Sequence, residues 1–371
     1  MSQSLGEPGK DFNGGRLALA RRRRGFSKSD LAKSVGVDAR SISNYESGMK
    51  PRADVLQKLA DHVGFPTQFF FGSSIEEIPW GAASFRSLAR MTTAQRESAL
   101  GQGALRIYFD KWLCERFNMP EALVPDLRLE TPEAAAAALR ALWGLGDKPI
   151  ANLIHLLESK GIRVYPLSVL GNEVDAFSLW NGEAAFVMLN VQKTAEHSRF
   201  DAAHELAHLV LHKHGAPIGK EAENEANRFA SSFLMPDADV KANTIRNPGI
   251  RAMIQWKARW KVSLAALNYR MHQLGMTSDH HYKTLCIQIS AMGRSREPQP
   301  ADREQSLRLN KIFHMLAEDG ISRSYVAREL NITEAELEAM LFRLTLTSVQ
   351  GGRNTEVTKP RFGHGLTLVG N

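Results

Sequence analysis

His204, Glu205 and His208 stand as HELAH inside the run FDAAHELAHLVLH. On a helix, side chains four apart share a face, so the two imidazoles can hold one divalent ion with Glu205 beside a water. Peptide hydrolysis needs such a set: an ion to polarise the scissile carbonyl, and a carboxylate to carry the water's proton to the leaving amine. Ala203, Leu206, Ala207, Val210 and Leu211 surround the motif as the apolar side of a buried helix would.

A third ligand is expected from the next helical stretch, KEAENEANRFASSFLMP. Glu221 and Glu225 share a face and either could reach the metal, whereas Glu223 is expected to project elsewhere. Glu225 is the choice, because Ala226, Phe229, Ala230 and Phe233 form an apolar stripe that would pack on the first helix and aim the carboxylate inward. The plainer alternative is that all three glutamates form a solvated face favouring the helix N-terminus. Zinc is the usual occupant of a His/His/Glu set, although other divalent ions accept the same donors. His212, one further step of four along the helix, is expected to support the site rather than touch substrate.

From Asn190 through RFDAAHELAHLVLH to EANRFASSFLMP, the sequence resembles the ImmA/IrrE family of metallopeptidases, over about Ile150 to Pro236. The resemblance implies a gluzincin-like domain that binds zinc through His204, His208 and Glu225, with Glu205 as general base. It also implies cleavage of a partner repressor to release its genes, a logic suited to a stress response. Asp201, Ala202 and Ala207 stand where relatives commonly carry Thr, Leu and Gly; these departures touch packing and not the ligand set. The strand ending at Asn190 is a candidate edge for pairing with an extended peptide.

A second constellation lies near the start of the chain, SKSDLAKSVGVDARSISNYESG at 27–48. Ser27 and Asp30 make a capping box, Ala32 is small where helices must cross, Gly36 suits the turn, and Asp38 can cap a second helix. Ile42 and Tyr45 should be buried, leaving Arg40, Ser41, Ser43 and Asn44 outward. Arginine suits guanine and asparagine suits adenine in the major groove. Arg16, Arg21 to Arg24, Lys28 and Lys50 are expected to neutralise phosphates. From about Arg16 to Phe71 the chain resembles the Xre or lambda-repressor-like helix-turn-helix family, including YESG and the following Pro51. The resemblance implies base contacts from Ala39, Arg40 and Asn44, a phosphate contact from Lys28, and a homodimer on a palindromic double-stranded DNA operator.

The elements that must position these residues predict an α+β fold, mostly helical. An all-α helix-turn-helix bundle is expected at 15–72 after a flexible arm at 1–14, and a helical connector at 73–132. A zincin-like (gluzincin) domain with a small sheet follows at 133–280, then a C-terminal helical region with a mobile tail at 281–371. Within that last region, 293–303 reads as a charged linker. Residues 321–345 read as a helical pair that packs on the protease or a dimer partner, since their basic residues are few.

The chain has 371 residues, with 47 basic against 40 acidic giving +7, a balance that suits a nucleic-acid partner without demanding one. Cys114 and Cys286 form no ligand or disulfide pattern, which fits a reducing cytoplasm. Neither a signal segment nor a membrane span is legible, so a soluble protein without a membrane partner is expected.

The combined expectation is a cytoplasmic DNA-binding transcription regulator. Its zinc-dependent endopeptidase would respond to a signal by cleaving a partner repressor or itself, in the connector near Gly72 to Arg90. The competing expectation is a non-catalytic repressor or antitoxin-like regulator whose peptidase fold senses a ligand or partner. A fourth protein ligand, Glu221 or His212, would mark that case by closing the metal's open position.

Overall fold

Capping residues at each helix start organise the N-terminal unit. Asn13 accepts from Arg16 N to open α1 (Gly14–Arg23), Ser27 and Asp30 form a reciprocal capping box on α2 (Lys28–Val35), and Asp38 caps α3 (Ala39–Glu46). Gly36 takes the left-handed turn between α2 and α3 at φ 77°, where a side chain would be strained. α4 (Ala53–Val63) and a 3-10 turn at Thr67–Phe71 complete the unit around Leu17, Leu31, Ile42, Leu59 and Phe69. Of the arm expected over 1–14, residues 1–10 lie outside the described residues, while Phe12 is buried and Asn13 caps a helix.

This is a computed structural model, and it describes residues 11–81, 83–85, 91–167, 174–213, 219–293, 297–341, 344 and 367–368. After the N-terminal unit come β1 (Ser84–Phe85), α5 (Thr93–Cys114), β2 (Phe117–Asn118), α6 (Pro132–Leu142) and α7 (Leu153–Ser159). The central strands are β3 (Arg163–Leu167), β4 (Ala176–Asn181) and β5 (Ala184–Asn190). Helices α8 (Ala195–Leu211), α9 (Lys220–Leu234), α10 (Asp237–Asn243), α11 (Ile250–Trp260), α12 (Leu264–Gln273) and α13 (Asp279–Ala291) follow. The C-terminal part holds α14 (Leu307–Glu318), α15 (Arg323–Glu329), α16 (Glu334–Leu341) and β6 (Thr367–Leu368). The mostly helical α+β fold expected from the sequence is thus what the chain adopts.

Four strands form one sheet in the order β1-β4-β5-β3, with β4 antiparallel to both β1 and β5, and β3 parallel to β5. The strand ending at Asn190 is therefore interior and not an edge; over Phe186–Leu189 its backbone is paired on both sides, which leaves no ladder position there for a peptide. Side chains alternate between two cores. Tyr165, Phe177, Leu179, Phe186 and Met188 face one core with α5, the N-terminal unit and the C-terminal helices. Val164, Ala176, Ala185, Val187 and Leu189 face the other, with α8 and α9.

The C-terminal region is bound more closely than the sequence predicts. Leu309, Ile312, Val326, Leu330, Leu337 and Leu341 share the first core with Leu17 and Ile42. Residues 297–303, the described end of the linker expected at 293–303, continue through 304–306 as a strap over the second half of the molecule. Glu196 accepts from Ala301 N at 2.9 Å, Glu304 accepts from Leu153 N at 2.9 Å and pairs with Arg199, and Ser306 donates to Glu158. The largely buried carboxylates Glu196, Glu158 and Glu304 thus find their partners far away in the chain. Thr367–Leu368 (β6) pair antiparallel with β2; the rest of the tail expected to be mobile lies outside the described residues.

Candidate functional site

α8 opens on its N-cap Thr194, runs over the second-core face of the sheet, and buries His204, Glu205 and His208. His204 Nε2 and His208 Nε2 face each other at 3.2 Å. From α9, Glu223 brings Oε2 to 3.5 Å from His204 Nε2 and Oε1 to 3.6 Å from His208 Nε2. Burial tends to raise the Glu223 carboxyl, but the two imidazoles, when protonated, outweigh it by hydrogen bond and charge and hold the group down to about 2.

The outer nitrogens of both rings are engaged as well. His204 Nδ1 lies 3.1 Å from Asn227 Oδ1, four residues beyond Glu223 on the same helix. His208 Nδ1 lies 2.8 Å from His212 Nδ1, and His212 Nε2 lies 3.0 Å from Glu225 Oε2. An ionised carboxylate only accepts, so His212 donates to Glu225 through Nε2–H. Burial lowers the pKa of His212 against the opposing hydrogen bond of Glu225, favouring a neutral ring that accepts at Nδ1. His208 then donates from Nδ1 and turns the lone pair of Nε2 toward His204. With Asn227 taking the Nδ1–H of His204, two lone pairs and a carboxylate converge; these protons are assigned from the bonding pattern.

That donor set fits a divalent metal. Ligand atoms about 2.0–2.1 Å from a tetrahedral ion stand about 3.3 Å apart, close to the separations found here. His204, His208 and Glu223 would hold it, and the sequence expectation of Glu225 changes accordingly. Glu225 lies on the opposite flank of α9 from Glu223 and reaches the site only through His212. Glu223, expected to project elsewhere, is the carboxylate that faces both histidines.

Glu205 is fully buried beside this group, and Ser178 of β4 donates to its Oε2 at 2.6 Å. The two residues that could have closed a metal's fourth position are placed otherwise: Glu221 is exposed and His212 is turned to Glu225.

At the N-terminal unit, α3 presents Ala39, Arg40 and Asn44 as exposed residues and Ser41 and Ser43 as half-buried ones. Ile42 beneath them is fully buried and Tyr45 half-buried. Lys28 is exposed at the start of α2, with Nζ 3.2 Å from Ser43 Oγ and 3.3 Å from Glu46 Oε2. The arginine run differs from the sequence expectation. Arg16 is buried and donates to the carbonyls of Phe69 and Ser73; Arg21 pairs with Glu46 at 2.6 Å; Arg22 pairs with Glu77. Arg23 and Arg24 share Glu336 of α16 at 2.8 and 3.3 Å. These guanidiniums are engaged by intramolecular partners; those of Arg16, Arg21 and Arg23 satisfy carbonyls or carboxylates that are largely buried, whereas the Arg22–Glu77 pair is exposed.

Residues 17–70 match a family model described as helix-turn-helix, and residues 157–272 match a peptidase family model described as IrrE N-terminal-like domain. The chain joins a helix-turn-helix domain to an IrrE N-terminal-like domain. No match to a curated protein was found. The IrrE-like match contains Ser178, His204, Glu205, His208, Glu223 and Asn227, so the whole metal-facing group lies within it. The helix-turn-helix match contains α2, α3 and the outward residues of α3. α5 and the C-terminal helices that fasten the two together belong to neither.

Sequence reasoning missed Ser178, Asn227 and Glu223. For the last two, their spacing of four was the available signal: it puts a carboxylate and an amide on one flank of α9. Ser178 carried none, since a serine in a strand acquires meaning only when α8 is laid over it.

Proposed function

We propose that this protein is a DNA-binding transcription regulator whose IrrE-like domain is a zinc-dependent endopeptidase, acting on its own connector or on a partner repressor when a signal arrives. The observation that carries this reading is the buried Glu205, held by Ser178 beside the converging donors His204, His208 and Glu223. A zinc ion bound by those donors would supply Lewis acidity, polarising the scissile carbonyl and acidifying a water. Glu205 takes the proton of the attacking water as the oxygen bonds to the carbonyl carbon, and returns it to the amine as the carbon–nitrogen bond breaks. Ser178 holds that carboxylate in place for the transfer. Asn227 and the His212–Glu225 pair hold the two imidazoles in the tautomer a metal requires.

DNA recognition is assigned to Arg40, Ser41, Ser43 and Asn44 at base edges with Ala39 beside them, and to Lys28 at a phosphate. A homodimer on a palindromic operator and a cytoplasmic setting complete the proposal. Consistent with that setting, no helix among the described residues is long and apolar enough to cross a membrane.

The test uses the full chain and Glu205→Gln, each loaded with zinc and followed by intact mass, alone and with any repressor encoded nearby. Fragments from the unmodified chain alone support the endopeptidase. Intact mass in both, with operator binding retained, supports instead a sensor whose metal is structural.

A further inference from the structure

The strand next to the candidate catalytic carboxylate already has a partner, and that partner is the connector itself. β1 pairs antiparallel with β4 so that Ser84 lies opposite Ser178 and Phe85 opposite Phe177. Ser178 is the residue whose hydroxyl holds Glu205. The approach to this position is guided by fixed points. Glu76 pairs with Lys111 at 2.9 Å, with Asn181 at the far end of β4 also holding its carboxyl down, and Ile78 is buried against Gly103 and Phe177. From Glu76 to Phe85 the connector thus runs back along β4, opposite to the strand's own direction.

We infer that this edge of β4 is where an extended segment of a protein substrate docks, and that Ser84–Phe85 is its resident competitor, which must leave before a substrate strand can pair there. The inference rests on the endopeptidase reading proposed above and adds the substrate's binding mode and a built-in block. Two observations carry it. The other edge of the sheet, β3, has its paired neighbour β5 between itself and β4, whereas β4 lies beneath α8 and carries the serine bonded to Glu205. β4 is six residues long and β1 covers two of them, so a longer strand has more ladder positions to gain than β1 has to lose. A two-residue strand makes at most a couple of ladder bonds, each contributing about 0.5–1.5 kcal/mol net, which places β1 among the segments that open locally without global unfolding. A strand added to such an edge gains main-chain bonds irrespective of sequence, with side-chain pockets left to set preference. The plainer role for β1 is to blunt an exposed edge against aggregation, and the experiment separates the two.

The probe is a fluorescein-labelled synthetic peptide copying residues 79–90, and binding is read by anisotropy in full chains carrying Glu205→Gln, so that no hydrolysis is needed. One protein keeps the natural connector; the other carries Ser84→Pro and Phe85→Pro, which remove the donors of β1. The expected result is binding to the proline variant at least tenfold tighter than to the natural connector. Equal binding to both, or binding to neither, overturns the proposal. If the proline pair does not fold, Ser84→Gly with Phe85→Gly weakens the strand without removing a donor and must give the same ranking. A binding difference that persists while the zinc-loaded chain cleaves nothing would leave the docking edge standing and remove the endopeptidase reading alone.

Discussion

Arg23 Nε lies 2.8 Å from Glu336 Oε1, and the two residues are 313 positions apart in the chain. Both side chains are buried, and Arg24 adds a second guanidinium to the same carboxylate. The helix-turn-helix domain is therefore tied by charge, as well as by shared core, to the last helix of the described chain. Removing one member of a buried pair leaves the other desolvated and uncompensated, a cost of about 3–5 kcal/mol. Glu336→Ala should lower the denaturant midpoint and speed amide exchange in α1 and α16 together. An unchanged midpoint would mean that water replaces the carboxylate at no cost.

The metal ligands separate cleanly by mutation. Glu223→Gln should weaken zinc binding most, while Glu225→Gln, which acts through His212, should weaken it by about 10–100-fold. Chelator competition against the unmodified chain measures both. A larger loss for Glu225→Gln would restore it as the direct ligand.

Ser178→Ala should lower the cleavage rate by about 10–100-fold with zinc affinity retained, since the serine touches Glu205 and none of the ligands. Ser178→Thr keeps the hydroxyl and should recover most of the rate. If the threonine variant is as slow as the alanine one, packing of β4 and not the hydrogen bond is what matters.

On DNA, Arg40→Ala and Asn44→Ala should each cost about 1–3 kcal/mol in operator affinity and relax discrimination at one base position. Titration of both variants against operator and scrambled duplex, at fixed salt, checks this. Equal losses on both duplexes would make these residues phosphate contacts.

Burial, reinforced by Asp110, pushes the Cys114 thiol up to about 11. At pH 8 only about one molecule in a thousand then carries the thiolate that alkylating reagents attack. Modification of Cys114 by iodoacetamide, followed by mass, should be slow at pH 8 and accelerate as the pH approaches 11. Because the fold retains this proton more tightly than the unfolded chain does, the associated stability is complete below about pH 8.5. It is lost as the pH rises through about 11. Rapid labelling at pH 8 would show that the thiol is open to water.

The histidine pair and the two capped helices of the DNA-binding unit were legible because they depend on spacing within one helix. The third ligand was not, for a geometric reason. At about 100° per residue, Glu223 and Glu225 flank the apolar stripe of α9 at similar angles, about 70° to one side and about 90° to the other. Which flank meets α8 is decided by how the two helices pack, and sequence periodicity carries no sign for that. The arginine run failed for a related reason: Glu46, Glu77 and Glu336 lie 25, 55 and 313 residues away from the arginines they pair with. A run of positive charge looks solvated until its distant partners are brought to it.

Along β5, Phe186 and Met188 belong with the DNA-binding end of the molecule, while Val187 and Leu189 belong with the metal-facing end. Consecutive residues of one strand thus answer to opposite neighbours, and the sheet is a wall only one backbone thick. A push on either side of it has no intervening layer in which to dissipate. A bulkier residue at Val187 would press on the helix that carries the histidines, and one at Met188 would press on the packing that anchors the DNA reader. Parity along this short strand is therefore enough to decide which half of the protein a mutation disturbs first.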